Sequence, residues 1–149
     1  SISAKAPAGT PDLGSAERRL TDLREKLRGL VQADADAYAG VMRAYRLPKT
    51  DPARLDAVST SLRVATEVPL ETAALASEAA ALLRALVQQT KPAVASDLKV
   101  GLLLALAAIE GGLENVRTNL KSLKNQRFND EIASRIQAIK QSLVELKGL

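Results

Sequence analysis

The sequence predicts an all-α protein, an antiparallel bundle of four main long helices. Hydrophobic residues make up 46% of the 149 residues, but aromatic residues only 2%. A core so poor in rings must consist of Leu, Val, Ile and Ala, which suits packing between helices better than packing between sheets. Alanine and leucine dominate, and both favour helices. Apolar residues also recur at spacings of three and four, which is the helical period.

The predicted helical domain spans residues 15–149 and follows a lead at 1–14. The lead is rich in Ala, Pro, Gly and Ser, so we expect it to be flexible. Ser15 is expected to cap the first helix, since a serine side chain can accept a hydrogen bond from the first turn. A stripe of apolar residues then continues to Tyr45, which predicts one uninterrupted helix of about nine turns.

The segment RLPKTDP at 46–52 ends the first helix. Asp51 is expected at the N-cap of the second helix and Pro52 at its first position, where a missing backbone N–H costs nothing. The second helix is predicted to run from Pro52 to Gln89. Because Pro69 lies inside it, we expect a kink or a short break just before that residue.

A connector at 88–96 leads to the third helix, which runs to Leu123 with Ser96 as its expected cap. A turn at 124–129 follows. Asn129 is expected to cap the fourth helix. Its apolar stripe has helical spacing and consists of Ile132, Ile136, Ile139, Leu143 and Leu146. These segments complete the four predicted helices.

The third helix carries an arc of small and polar residues about 80° wide on an otherwise apolar surface. Such an arc could form a slot for a flat polar ligand, or it could let a neighbouring helix pack closely; the sequence leaves both interpretations open. Its members are Asp97, Gly101, Ala105, Ala108, Gly112, Asn115 and Asn119.

Asp34 interrupts the apolar stripe of the first helix, between Leu30 and Tyr38. It is therefore expected to face the core or a partner subunit. A carboxylate in such a place is costly unless it is paired or hydrogen-bonded. A nearby cation or helix end could pair with the Asp34 carboxylate, or the carboxylate could take part in catalysis.

The chain contains neither cysteine nor histidine, which excludes a disulfide framework, a thiolate zinc site and every Ser-His or Cys-His nucleophile. We expect no metal and no tightly bound cofactor. The net charge of +4 comes from dispersed basic residues, so a nucleic-acid partner is supported by charge alone and is not expected. No signal peptide or apolar run long enough to span a bilayer is recognised, which predicts a cytoplasmic protein without a membrane partner.

Four blocks of sequence resemble the cyclodeaminase/cyclohydrolase family, in the same order and spacing. They are ADADAYAGVMRAYRLPK at 33–49, ATEVPLETA at 65–73, SDLKVG at 96–101 and ENVRTNLKSL at 114–123. The family comprises the C-terminal domain of formiminotransferase-cyclodeaminase and its stand-alone bacterial relatives, which include methenyltetrahydrofolate cyclohydrolases. The resemblance extends over roughly 15–149.

The resemblance implies a homodimeric helical enzyme whose substrate is a tetrahydrofolate derivative, including polyglutamylated forms. The implied reaction is hydrolysis of 5,10-methenyltetrahydrofolate or deamination of 5-formiminotetrahydrofolate. Asp97 and Asp34 are the expected catalytic residues. The residues expected to bind the substrate are Asp36, Tyr38, Asn115, Asn119 and Lys121.

Family members usually open with a Gly-rich segment that begins an additional apolar helix, and this chain opens with SISAKAPAGTPDLGS instead. A second function therefore stays open. The chain would then be a non-catalytic helical module of the same fold, which dimerises or docks a partner enzyme.

Overall fold

The computed structural model describes residues 12–148, and throughout that range it contains helices and no strand. The helices are α1 (Leu13–Arg46), α2 (Arg54–Val87), α3 (Pro92–Ser122) and α4 (Gln126–Lys147). The predicted fold class, four long helices joined by short connections, is confirmed.

Helix α1 begins earlier than predicted because Asp12, and not Ser15, is its cap. The Asp12 carboxylate accepts a hydrogen bond from the backbone N–H of Ser15 at 3.0 Å. The end of the predicted lead thus belongs to α1, while its first 11 residues lie outside the described range. The helix ends at Arg46, before Leu47 and Pro48, as the proline predicts.

The predicted caps of the other three helices are also displaced. The Asp51 carboxylate accepts from Ala53 N–H at 2.9 Å in a turn before α2, which begins two residues later than expected. Helix α3 begins at Pro92, so Ser96 lies inside the helix. Asn125, instead of Asn129, caps α4 by accepting from Phe128 N–H at 3.1 Å. Pro92 thus begins α3 and Asn125 begins α4, whereas Ala53 at the N-cap of α2 makes no side-chain hydrogen bond.

Helix α2 lies at the centre of the fold and contacts the three other helices, whereas no Cα of α1 lies within 8 Å of α3 or α4. It continues without a break through Pro69. The break considered from the sequence is therefore absent, and a bend there stays a prediction.

The core lies mainly between α2, α3 and α4. Its completely buried side chains are those of Leu70, Ala73, Ala80, Ile109 and Val116. Helix α1 packs on α2 through small or apolar residues such as Ala16, Leu23 and Ala37.

An ion pair also joins α1 to α2. The Arg19 guanidinium donates to both carboxylate oxygens of Glu78, at 2.5 and 2.7 Å. This hydrogen bond to Glu78 raises the pKa of Arg19 above its usual value. The pair is half-exposed, so it fixes the relative position of α1 more than it stabilises the fold.

Helix α3 differs from an ordinary core helix. It is long and apolar enough, by length and composition alone, to cross a membrane, and only 11% of its most apolar segment is buried. The expectation that no segment of this chain has that property is therefore wrong. Most of this apolar segment of α3 is not buried by the other helices of residues 12–148.

Candidate functional site

The three predicted site residues on α1, which are Asp34, Asp36 and Tyr38, are all exposed. Asp34 therefore does not face the core of its own chain, and the expectation of a buried carboxylate is wrong in that form. A partner subunit could still cover it. The Asp36 carboxylate accepts a hydrogen bond from the Gln32 side chain at 2.9 Å, one turn earlier on the same helix.

The arc predicted on α3 is divided by its contact with α2. Asp97 and Asn115 are exposed, and so is Lys121 nearer the end of the helix. Gly112 is buried and Asn119 partly buried. Part of the arc therefore packs against a neighbouring helix, while the ligand slot stays a prediction for the part that faces outward.

Asn119 completes the hydrogen bonding of α2 around Pro69. A proline has no N–H, so the carbonyl four residues earlier, that of Ala65, loses its partner within the helix. The Asn119 side-chain amide donates to this carbonyl at 2.7 Å. Its carbonyl oxygen is then the group it could offer to a ligand.

Gly112 permits the closest approach between α2 and α3. A Cβ placed on it would lie 2.7 Å from the Pro69 carbonyl oxygen and 3.1 Å from the Ala73 Cβ. Gly101, about three turns earlier, lies in ordinary contact distance of the Leu83 side chain. The glycines predicted as a ligand slot therefore act first as packing residues.

The two sets of predicted site residues do not meet within one chain, because α2 separates α1 from α3. Within α3 the residues are also far apart. Asp97 and Asn115 are separated by about 27 Å along the helix axis at 1.5 Å per residue. A single chain therefore cannot place both of them against one pteridine ring.

A groove of about 700 Å³ between α1 and α2 contains polar residues that the sequence reasoning missed. Asp36 lies on its α1 side, together with Arg43, while Asp56 and Thr60 lie on its α2 side. Asp56 and Thr60 are one turn apart at the start of a helix, and this spacing could have indicated that their side chains lie on the same face. No three carboxylates within residues 12–148 come together as a set of metal ligands.

The protein is an all-α bundle in which α2 is central and the exposed side of α3 carries polar residues. The family model described as formiminotransferase-cyclodeaminase matches residues 4–138. The chain therefore belongs to the formiminotransferase-cyclodeaminase family, as the four sequence blocks predicted.

Two relatives carry enzyme names. The chain is 32% identical over 142 residues to the methenyltetrahydrofolate cyclohydrolase of Methylorubrum extorquens, covering 93% of this chain and 64% of that protein. It is 32% identical over 116 residues to the formimidoyltransferase-cyclodeaminase of Gallus gallus, covering 75% of this chain and 21% of that protein. The chain thus spans less than two thirds of the length of either relative.

A solved structure has the same fold. It is the formiminotetrahydrofolate cyclodeaminase of Thermotoga maritima, with a TM-score of 0.76 and 20% identity. The match covers 95% of this chain and 71% of that one. At this level of identity the likeness establishes the architecture alone.

Proposed function

We propose that the protein is a folate-dependent enzyme of one-carbon metabolism, which hydrolyses 5,10-methenyltetrahydrofolate or deaminates 5-formiminotetrahydrofolate. The observation that carries this proposal is the family match over residues 4–138. Relatives named for each reaction align with this chain at 32% identity. This also favours an enzyme over the non-catalytic helical module.

Both reactions need a group that accepts a proton, and in a chain without histidine a carboxylate is the natural candidate. In the hydrolysis, water adds to the methenyl carbon as a carboxylate accepts its proton. The resulting hydroxyl loses its proton as a formyl group forms, and the departing nitrogen takes up one proton. In the deamination, the neighbouring folate nitrogen attacks the carbon of the protonated formimino group. The carboxylate accepts the proton that this nitrogen gives up and passes it to the departing amino group, which leaves as ammonia.

Asp97 is the leading carboxylate for this chemistry, and Asp34 is the second. Asp97 is exposed on the outward side of α3 and has no ion-pair partner in the described part of the chain. A free carboxylate can either accept a proton or bind the two adjacent N–H groups of an aminopyrimidinone ring. Asp34, exposed on α1, has the same chemical capacity.

The remaining predicted residues supply binding groups. Asn115 can both donate and accept hydrogen bonds, and Asn119 retains its carbonyl oxygen as an acceptor. Lys121, which is exposed near the end of α3, has the charge to attract the glutamate tail of the substrate. Asp36 and Tyr38 on α1 stay predictions that depend on the resemblance alone.

The test is turnover of 5,10-methenyltetrahydrofolate, followed by its near-ultraviolet absorbance, and ammonia release from 5-formiminotetrahydrofolate. We expect Asp97→Ala to lower kcat by at least about 100-fold. Asp130→Ala, which removes an exposed carboxylate from α4, is the control and should retain activity. Full activity of Asp97→Ala would remove Asp97 from the site.

The same measurements separate the two functions. No turnover of either substrate by the wild-type protein, together with no thermal shift on adding a reduced folate, would favour the helical module. The proposal also includes a homodimer, a cytoplasmic location and the absence of a retained cofactor. The mass of the purified protein in solution, cell fractionation and native mass spectrometry test these three points.

A further inference from the structure

One side of α1 carries a row of exposed acidic and aromatic side chains. The row consists of Asp34, Tyr38 and Tyr45, and we call it the α1 strip. At 100° per residue the three positions fall within an arc of about 40°. Tyr38 is 66% exposed and Tyr45 is 44% exposed. From Asp34 to Tyr45 the helix rises by about 17 Å, so the α1 strip suits an extended ligand better than a single ring.

An arginine from α2 lies at the C-terminal end of the α1 strip. The Arg54 guanidinium is placed over the Tyr45 ring, 5.8 Å from the centroid of the ring. Its Nε donates a hydrogen bond to the Leu47 carbonyl at 3.0 Å. Because the guanidinium is held both on one face and at Nε, it has few orientations left and is preorganised for a ligand.

The other donors of Arg54 are free to bind an anion. A guanidinium has five N–H donors, and the bond to the Leu47 carbonyl uses one of them. Within residues 12–148 no carboxylate lies within 4 Å of Arg54. A planar guanidinium with two free terminal nitrogens matches a carboxylate, which it can bind through two parallel hydrogen bonds.

The charge around Arg54 also favours an anion. The connection from α1 to α2, at 43–54, contains four basic residues and one acidic residue, which are Arg43, Arg46, Lys49, Arg54 and Asp51. The carboxylate of the acidic residue already accepts a hydrogen bond from Ala53 N–H at 2.9 Å. An excess of positive charge raises the local concentration of an anionic ligand at this end of the α1 strip.

A folate joins a pteridine, a benzoyl ring and a glutamate in a row, and the α1 strip offers groups in a matching order. We propose that the benzoyl-glutamate part of the substrate lies along the α1 strip, with its ring beside Tyr38 and a glutamate carboxylate on the Arg54 guanidinium. Tyr45 is then a positioning residue that holds Arg54, and the reacting end of the substrate points toward Asp34. Lys121 stays assigned to the further glutamates of a longer tail. This inference rests on the proposed folate function.

The first experiment compares two ligands that differ only in the glutamate. Isothermal titration calorimetry under anaerobic conditions measures the binding of tetrahydrofolate and of tetrahydropteroate, which lacks the glutamate. We expect Arg54→Gln to raise the dissociation constant of tetrahydrofolate at least about tenfold, because a charge-assisted pair of hydrogen bonds is lost. The dissociation constant of tetrahydropteroate should stay unchanged.

Arg63→Gln is the matched control. Arg63 also lies on α2 with its guanidinium over an aromatic ring, that of Phe128, at 4.8 Å from the centroid. The control should leave the binding of both ligands unchanged. Because Arg54 also bonds the Leu47 carbonyl, urea unfolding of Arg54→Gln accompanies the binding measurement. An equal loss of affinity for both ligands would assign Arg54 a structural role and overturn the inference.

The second experiment tests the positioning role of Tyr45. Tyr45→Leu removes the ring under Arg54 and should raise the dissociation constant of tetrahydrofolate at least about threefold. Tyr45→Phe keeps the ring and should restore the wild-type value. Neither substitution should change the binding of tetrahydropteroate. A Tyr45→Leu variant that binds tetrahydrofolate as the wild type does would remove Tyr45 from this role.

Turnover supplies a third measurement. The contact at Arg54 is remote from the reacting carbon and is the same in the ground and transition states. Arg54→Gln should therefore raise KM for 5,10-methenyltetrahydrofolate and leave kcat unchanged.

The binding measurements also separate the two levels of the proposal. Equal binding of tetrahydrofolate by the wild-type protein and Arg54→Gln would overturn the inference and leave the folate function standing. A wild-type protein that binds neither tetrahydrofolate nor tetrahydropteroate would overturn the proposed function and, with it, the place of the substrate on the α1 strip.

Discussion

The two sides of α3 have similar compositions but opposite surroundings. The inward side carries Ile109, Gly112 and Val116, which are buried against the core. The outward side carries Val100, Leu104 and Gly111, which are exposed. Apolar and small residues thus indicate that a helix surface will pack, but they do not indicate against what. That difference is set by where α2 and α4 lie.

Shortening a large side chain should strongly lower the stability on the inward side of α3 and hardly change it on the outward side. Ile109→Ala should lower the free energy of unfolding by about 2–5 kcal/mol, since it opens a cavity at a completely buried position. Leu104→Ala should change it by less than about 0.5 kcal/mol in the monomer. Urea unfolding at low protein concentration measures both. Equal losses would mean that the outward side is also covered within the chain.

The adjacent residues Gly111 and Gly112 should respond in opposite ways to the same substitution. Gly112→Ala should destabilise the protein by about 1–3 kcal/mol, because the new methyl group would meet the Pro69 carbonyl at 2.7 Å. Gly111→Ala should stabilise it by about 0.5–1 kcal/mol, because alanine is the better helix former and the position is open. The melting temperatures should therefore move in opposite directions. Shifts of the same sign would contradict the packing of α3 on α2.

A smaller effect concerns the hydrogen bond at the edge between the two sides. Asn119→Ala should cost about 1 kcal/mol by removing the bond to the Ala65 carbonyl. In a Pro69→Ala background the new backbone N–H can itself donate to that carbonyl, so the cost of Asn119→Ala should fall. A double-mutant cycle in urea measures this coupling. Additive effects would show that Asn119 does not replace the missing bond.

The periodicity of the apolar residues was sufficient to predict the fold class, the four helices and their order. It also placed Ile132, Ile136 and Leu143 on the buried stripe of α4, as the structure confirms. Cap positions were less accurate. Several serine, aspartate or asparagine residues within a few positions could each serve as the N-cap. The N-cap is Asp12 in α1, where Ser15 was predicted, and Asn125 in α4, where Asn129 was predicted.

The positions of the candidate residues along α3 were predictable, but their surroundings were not. The sequence placed Asp97, Asn115 and Asn119 on one arc of α3, and the helix preserves that arc. It could not show that Asn119 would donate to Ala65, because that contact joins residues 54 positions apart. It also could not show that α2 would separate Asp34 from Asp97.

The sequence alone was sufficient to predict the helical content, the end of α1 before Pro48 and the membership of the formiminotransferase-cyclodeaminase family. These properties depend on local period, local sterics and the order of short blocks. By contrast, the burial of Gly112, the exposure of Gly111 and the exposure of one side of α3 could be seen only in the folded molecule. Such outcomes depend on the position of another helix, and two neighbouring residues of one type carry no local information that could distinguish them.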